Sequence, residues 1–167
     1  SSGQGVDTSE SLEAFINIPL SENLSARLSA YDVTEGGFID LVGGTKTFSG
    51  SGYTVPLIEA EDHNESEVRG FRASLRAWVN DNLTATLTHI NQESYTVGSW
   101  DHQPETLGKL KSNKVISEFT DDEWNQTSLT LEGNFNDTSF TYAGTFFDRD
   151  VRYLWDYNDY VEYYQLD

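Results

Sequence analysis

No cysteine and no methionine occur in the 167 residues, and only 10 lysines and arginines stand against 28 aspartates and glutamates. The missing cysteine excludes a disulfide framework and a thiolate metal site. The basic deficit leaves a formal charge of -18 and no stripe of Lys or Arg that could displace counterions, so no nucleic acid is expected as a partner. Methionine is absent even at position 1, as expected of a processed chain or an excised piece. Signal-peptide and lipidation motifs do not occur either, which carries no information for a piece of a longer protein. No run of about 18 apolar residues is present, which excludes a transmembrane helix but not a membrane β-barrel, whose strands cross with about 9 to 11 alternating residues.

What the chain does have is a period of two. Leu12, Ala14, Ile16, Ile18 and Leu20 alternate with polar neighbours, a turn follows at Ser21-Glu22-Asn23, and Leu24, Ala26, Leu28 and Ala30 then alternate with Ser25, Arg27, Ser29 and Tyr31. That pattern is a hairpin with one apolar and one polar face. It recurs twice. Phe71, Ala73, Leu75, Ala77 and Val79 oppose Arg72, Ser74, Arg76 and Trp78, turn at Asn80-Asp81-Asn82, and return through Leu83, Ala85 and Leu87. Thr127, Leu129, Leu131, Gly133 and Phe135 then turn at Asn136-Asp137-Thr138 and return through Phe140, Tyr142, Gly144 and Phe146.

The connections are of two kinds. Within each hairpin the turn is tight; between hairpins lie long loops near 36–66 and 98–122, and an aromatic, acidic tail runs from Tyr153 to Asp167. Loops that long are functional or disordered as a rule. Short turns at one end of a sheet and long loops at the other is the asymmetry of an outer-membrane barrel, which a Greek-key sandwich has no reason to adopt. Arg27, Arg72 and Arg76 all take the polar parity, where a lumen accepts them; turned to lipid, each would cost about 2 to 4 kcal/mol at mid-membrane. Trp78, Phe135, Phe140 and Tyr142 gather beside the turns, at the level of an interfacial girdle, although Trp78 has the inward parity. His89 has the outward parity within the apolar band, which predicts either a bulge or a contact with a neighbouring element.

Asn17-Ile18-Pro19-Leu20, the turn, Leu24 to Tyr31 and then Glu35-Gly36-Gly37-Phe38-Ile39-Asp40 resemble the early barrel of TonB-dependent outer-membrane receptors. Arg72 to Trp78 followed by Asn82 to Thr88 is similar to the next hairpin of that family, whereas in the third hairpin only the pattern persists. The resemblance implies an all-β antiparallel meander of about six strands, a segment of a 22-stranded transmembrane β-barrel. Residues 1–8 would be a linker or plug-barrel junction and 9–167 a partial barrel without its N-terminal plug. It further implies a bacterial outer-membrane location, lipid contact, coupling to the TonB complex through the plug, no cofactor, and import of a metal chelate, an oligosaccharide or a similar large solute. A surface lipoprotein is a further candidate partner. The family binds ligand with extracellular loops and the upper lumen, so Trp100, Asp101 and His102 in the second loop, and Trp155, Asp156 and Tyr157 with Tyr160, Tyr163 and Tyr164 in the tail, are candidate ligand contacts, against the alternative that they pack loop on loop or form the outer aromatic girdle. Arg27, Arg72, Arg76 and Glu132 are candidate lumen-facing or plug-contacting residues.

Other classes stay in view. A secreted soluble β-sandwich that binds carbohydrate through loop aromatics fits the same alternation. A glycosidase would need paired carboxylates, for which Glu13 and Glu132 share the right face without any motif, and an enzyme is not expected. The acidic stretches Glu59 to Glu67 and Thr120 to Glu123 lack EF-hand spacing and read as solvated rather than calcium-binding. His63, His89 and His102 have no zinc spacing, so no metal site is expected. Asn-x-Ser/Thr sequons begin at Asn23, Asn64, Asn82, Asn125 and Asn136; three lie in turns, where turn geometry already accounts for asparagine.

Overall fold

A computed structural model describes residues 8–164, the side chain of Glu162 excepted. The expected 1–8 linker therefore lies outside the described residues apart from Thr8, as does the end of the tail. In chain order the elements are β1 (Glu10–Ser21), β2 (Leu24–Glu35), β3 (Asp40–Leu41), β4 (Gly44–Thr47), β5 (Thr54–Leu57), β6 (Ser66–Asn80), β7 (Leu83–Val97), β8 (Lys111–Ser112), β9 (Phe119–Phe135), β10 (Thr138–Leu154) and α1 (Asn158–Tyr163). Six strands form one sheet in the order β1-β2-β6-β7-β9-β10. Every neighbouring pair is antiparallel, so the fold is the expected all-β meander. Among the described residues β1 and β10 have no outer strand partner, and the sheet is open.

The three hairpins close through the two-residue turns 22–23, 81–82 and 136–137. In two of them asparagine acts through a local bond or a backbone conformation it tolerates. The Asn82 amide donates to Asn80 Oδ1 at 2.9 Å, and Asn136 takes a left-handed φ of 53°.

Register carries the two-faced pattern across all six strands. Ile18, Ala26, Leu75, Leu87, Leu129 and Gly144 lie side by side on one face. Asn17, Arg27, Ser74, Thr88, Ser128 and Thr145 form the adjacent row on the other. The apolar face ends at a boundary: two rows beyond the Ile16 row it runs through Leu12, Asp32, Arg69, Glu93, Glu123 and Asp150. On β6 the apolar stretch is Phe71 to Val79, the length of about 9 residues that a tilted membrane strand needs.

No second sheet of the chain covers that face among the described residues; the other two sheets have two strands each and belong to the loops. Ile16 is 55% exposed, Leu87 47% and Phe146 72%. The buried apolar side chains among the described residues are Ile39 and Leu41, neither of them in the six-stranded sheet.

His89 does not bulge the strand. It stays in register opposite Ala73 and Thr127, and its Nδ1 lies 2.9 Å from the Thr127 hydroxyl with the Phe71 ring beside it. Of the two outcomes expected, contact with a neighbouring strand is the one observed.

Two boundaries differ from expectation. The second long connection ends at 118, because Thr120 to Glu123 belongs to β9; two charges of this strand segment are matched on β10, Asp122 by Arg149 at 2.7 Å and Asp121 by Arg152 at 2.5 Å. Tyr153 and Leu154 likewise continue β10, and the tail then forms α1. The connections are not disordered either, since they fold on one another. Asp40–Leu41 pairs in parallel with Lys111–Ser112, Leu41 also bridges Ala60, and β4 pairs β5.

Candidate functional site

The segments 36–65, 98–118 and 155–164 all leave the end of the sheet opposite the tight turns, and together they make a cap. Its small core is Ile39 and Leu41. Asn64 is 6% exposed, and its Oδ1 accepts from the Phe38 and Ile39 amides at 2.7 and 2.8 Å, which closes the 36–65 loop and leaves this sequon no access. Gly37 is required there, because a Cβ would fall 1.7 Å from the Asp62 carbonyl oxygen.

Glu118 joins the second segment to the third. Its Oε1 accepts from Lys114 Nζ at 3.0 Å and from the Asp156 amide at 2.9 Å, while Oε2 accepts from the Ser99 hydroxyl at 2.8 Å. Asp156 returns the link, its Oδ2 accepting from the Val115 and Ile116 amides at 2.5 and 3.1 Å. Burial raises the Asp156 carboxyl, but bonds from Asn158, Val115 and Ile116 outweigh it and hold the group below the usual carboxylate range. Asp159 adds two further ties, to Lys46 Nζ at 2.5 Å and to Gln103 Nε2 at 2.7 Å. His63 Nε2 is buried without a hydrogen-bond partner among the described residues. Burial lowers its pKa, with Glu118 opposing and Lys114 adding to the shift.

Beside this network is an open cleft of about 530 Å³ lined by Thr96, Gly98, Ser99, Trp100, Asp101, Thr120 and Trp155. Three of the candidate ligand contacts therefore meet: Trp100 and Asp101 from the second loop and Trp155 from the tail. The two indoles are exposed by 77% and 54%. Tyr157 and Tyr160 lie next to the cleft rather than in it, continuing a run in which Tyr153, Trp155, Tyr157 and Tyr160 follow at centroid spacings of 5.9, 6.4 and 6.5 Å. His102 is exposed and does not line the cleft.

A second hollow, about 490 Å³, lies on the polar face of β1, β2 and β6, where Arg27, Arg72 and Arg76 come together with Asn17, Ser25 and Ser74. Arg27 lies 4.8 Å over the Phe15 ring and Arg76 is 3.7 Å from Glu132. The three arginines and Glu132 occupy the face on which parity places them.

The carboxylates weighed as a glycosidase pair are far apart. The row of Glu13 passes through Trp124 on β9, and Glu132 lies eight residues further along that strand. At about 3.3 Å per residue the offset along the strands alone is roughly 26 Å, against the 5 to 9.5 Å or so that such a pair spans. No group of three or more His, Asp or Glu side chains is gathered as for a metal ion among the described residues.

Residues that pattern reading missed are Ser99, Lys114 and Glu118, which organise the cap together with Asp156, a candidate ligand contact that bonds the Val115 and Ile116 amides. The three are spread over an aperiodic loop, so no spacing rule singles them out. Comparison with protein-family models, curated proteins and solved structures gave no match to this chain.

Proposed function

We propose that the chain is part of the wall of a TonB-dependent receptor in a bacterial outer membrane, one segment of a 22-stranded barrel that imports a large solute such as a metal chelate or an oligosaccharide. The observation that carries this reading is the uncovered apolar face. A six-stranded sheet presents Ile16, Leu75, Leu87, Leu129 and Phe146 on one side, with no second sheet among the described residues packed on them. Apolar surface of that extent needs a cover, and lipid supplies one along its whole height. The polar face would line the lumen and the cap would be the extracellular vestibule. The loop segregation also favours the reading, with tight turns at one end and every long segment at the other. Gating and energy coupling would fall to the plug and, through it, to TonB.

The test is recovery of the natural protein from its membrane fraction. A mass several times that of these 167 residues, with gel migration that changes on boiling, is the expected result. A soluble monomer of this size that needs no detergent would overturn the proposal and favour a self-contained carbohydrate-binding β domain.

A further inference from the structure

We infer that the cleft between Trp100 and Trp155 is a subsite for a neutral oligosaccharide, which names the solute class of the receptor proposed above and rests on that reading. Two indoles from segments 55 positions apart in sequence open onto one concavity with their rings in solvent. Exposed aromatic planes flanking a hollow offer stacking surface to a flat or ring-shaped ligand. The polar groups between them decide which.

Among the described residues Asp101 uses only Oδ2 in its bonds, to the Ser99 hydroxyl at 3.1 Å and Lys114 Nζ at 3.4 Å. Oδ1 is left to accept from a ligand hydroxyl. Thr96, Ser99 and Thr120 line the same space, and hydroxyl side chains both donate and accept. Sugar hydroxyls match that set, whereas the oxygens of an anionic chelate would face a carboxylate.

Charge around the cleft selects in the same direction. The three cap segments hold eleven Asp and Glu against four Lys and no Arg. A field of that sign repels polyanions. A cationic ligand gains little in turn, because Lys114 already stands beside the Asp101 carboxylate.

Ligand length follows from the aromatic run. Beyond Trp155 the rings of Tyr157, Tyr160 and Tyr164 continue the surface at 6.4, 6.5 and 4.6 Å, each more than half exposed. A track of that kind takes a chain of sugar rings in preference to a monosaccharide.

The experiment uses the full natural protein in detergent, titrated with maltoheptaose, cellohexaose, xylohexaose and laminarihexaose, and with a ferric tricatecholate as the anionic probe, by calorimetry and tryptophan fluorescence. At least one neutral glycan is expected to bind, with Trp100→Ala and Trp155→Ala each raising Kd about tenfold, the loss of one stacked ring. Trp100→Phe should restore most of the affinity. Binding of the tricatecholate weakened by the same two variants, or no binding of any glycan, would overturn the inference. Heat modification of the same preparation reads the receptor proposal separately: a heat-modifiable protein that ignores every glycan loses only the sugar subsite. Glycan binding through both tryptophans without heat modification keeps the subsite and removes the receptor.

Discussion

Lys114 Nζ lies 3.0 Å from Glu118 Oε1, the lysine side chain 10% exposed and the glutamate 4%. Removing one partner of a buried pair costs about 3 to 5 kcal/mol, because the other charge stays behind without compensation. Lys114 keeps Asp101 within 3.4 Å, so Glu118→Ala is expected at the lower end of that range. Hydrogen exchange should accelerate in 98–118 and 155–159 while β6 and β7 keep their protection. The paired change Lys114→Met with Glu118→Leu should cost less than Glu118→Ala, because no buried charge is left behind, although the Asp156 amide and the Ser99 hydroxyl still lose their acceptor; a double variant worse than the single would contradict the account.

Two groups make the cap sensitive to acid in different windows. His63 has a lowered folded pKa, so the folded state binds fewer protons than the unfolded one just below the free-imidazole value. Its contribution is present above about pH 6.5 and is lost as pH falls from there toward the folded value. Asp156 is also held low, and its contribution disappears only as pH falls below the ordinary Asp value of about 3.9. Exchange in segment 58–65 is expected to rise as the pH is lowered from about 7.5 to about 5.5, once the intrinsic pH dependence of exchange is divided out. His63→Gln should flatten that dependence while leaving the loss at lower pH.

An arginine on the apolar face should be costly where one on the polar face is not. Leu75→Arg sits in the middle of the apolar band, and about 2 to 4 kcal/mol is expected in a bilayer. Ser128→Arg, one row over on the opposite face, should change stability by less than about 1 kcal/mol. Urea unfolding in lipid vesicles reads both, and equal effects would mean that the apolar face does not meet lipid.

His89 and Thr127 form a polar pair within the apolar band. Removing the imidazole alone, as in His89→Leu, leaves the threonine hydroxyl without its partner. The cost should be about 1 kcal/mol. His89→Leu with Thr127→Val removes both polar groups and should be neutral or stabilising in lipid, measured by the same unfolding assay. A double variant worse than the single would place the pair in a polar surrounding.

The sheet was legible in the sequence because a strand advertises its faces every second residue. Phe71, Ala73 and Leu75 read as one face, and the register sets them opposite Ala30, Leu28 and Ala26, which have the same apolar parity on β2. Strand ends were less legible. Asp121, Asp122 and Glu123 break the apolar rhythm, and only Arg149 and Arg152, 27 and 31 positions away, explain why they stay extended. The cap was not legible beyond its composition. Its order depends on Asn64 and Asp156 satisfying distant backbone amides and on Glu118 gathering donors from Ser99, Lys114 and Asp156, a purely three-dimensional condition with no period. Trp100 and Trp155 stood out as loop aromatics, yet their shared cleft is a product of that same network.

The strands lengthen across the sheet, from 12 residues in β1 and β2 to 15 in β6 and β7 and 17 in β9 and β10. At about 3.3 Å per residue the last pair exceeds the first by roughly 16 Å. The loop ends nonetheless stand level, because Glu35, Ser66, Thr96, Thr120 and Tyr153 share one row, so most of the added length hangs from the tight-turn end. On the receptor reading, the wall is a curtain with an even rail and a slanting hem: the cap rests on a flat sill, and the third hairpin reaches deepest on the side away from it.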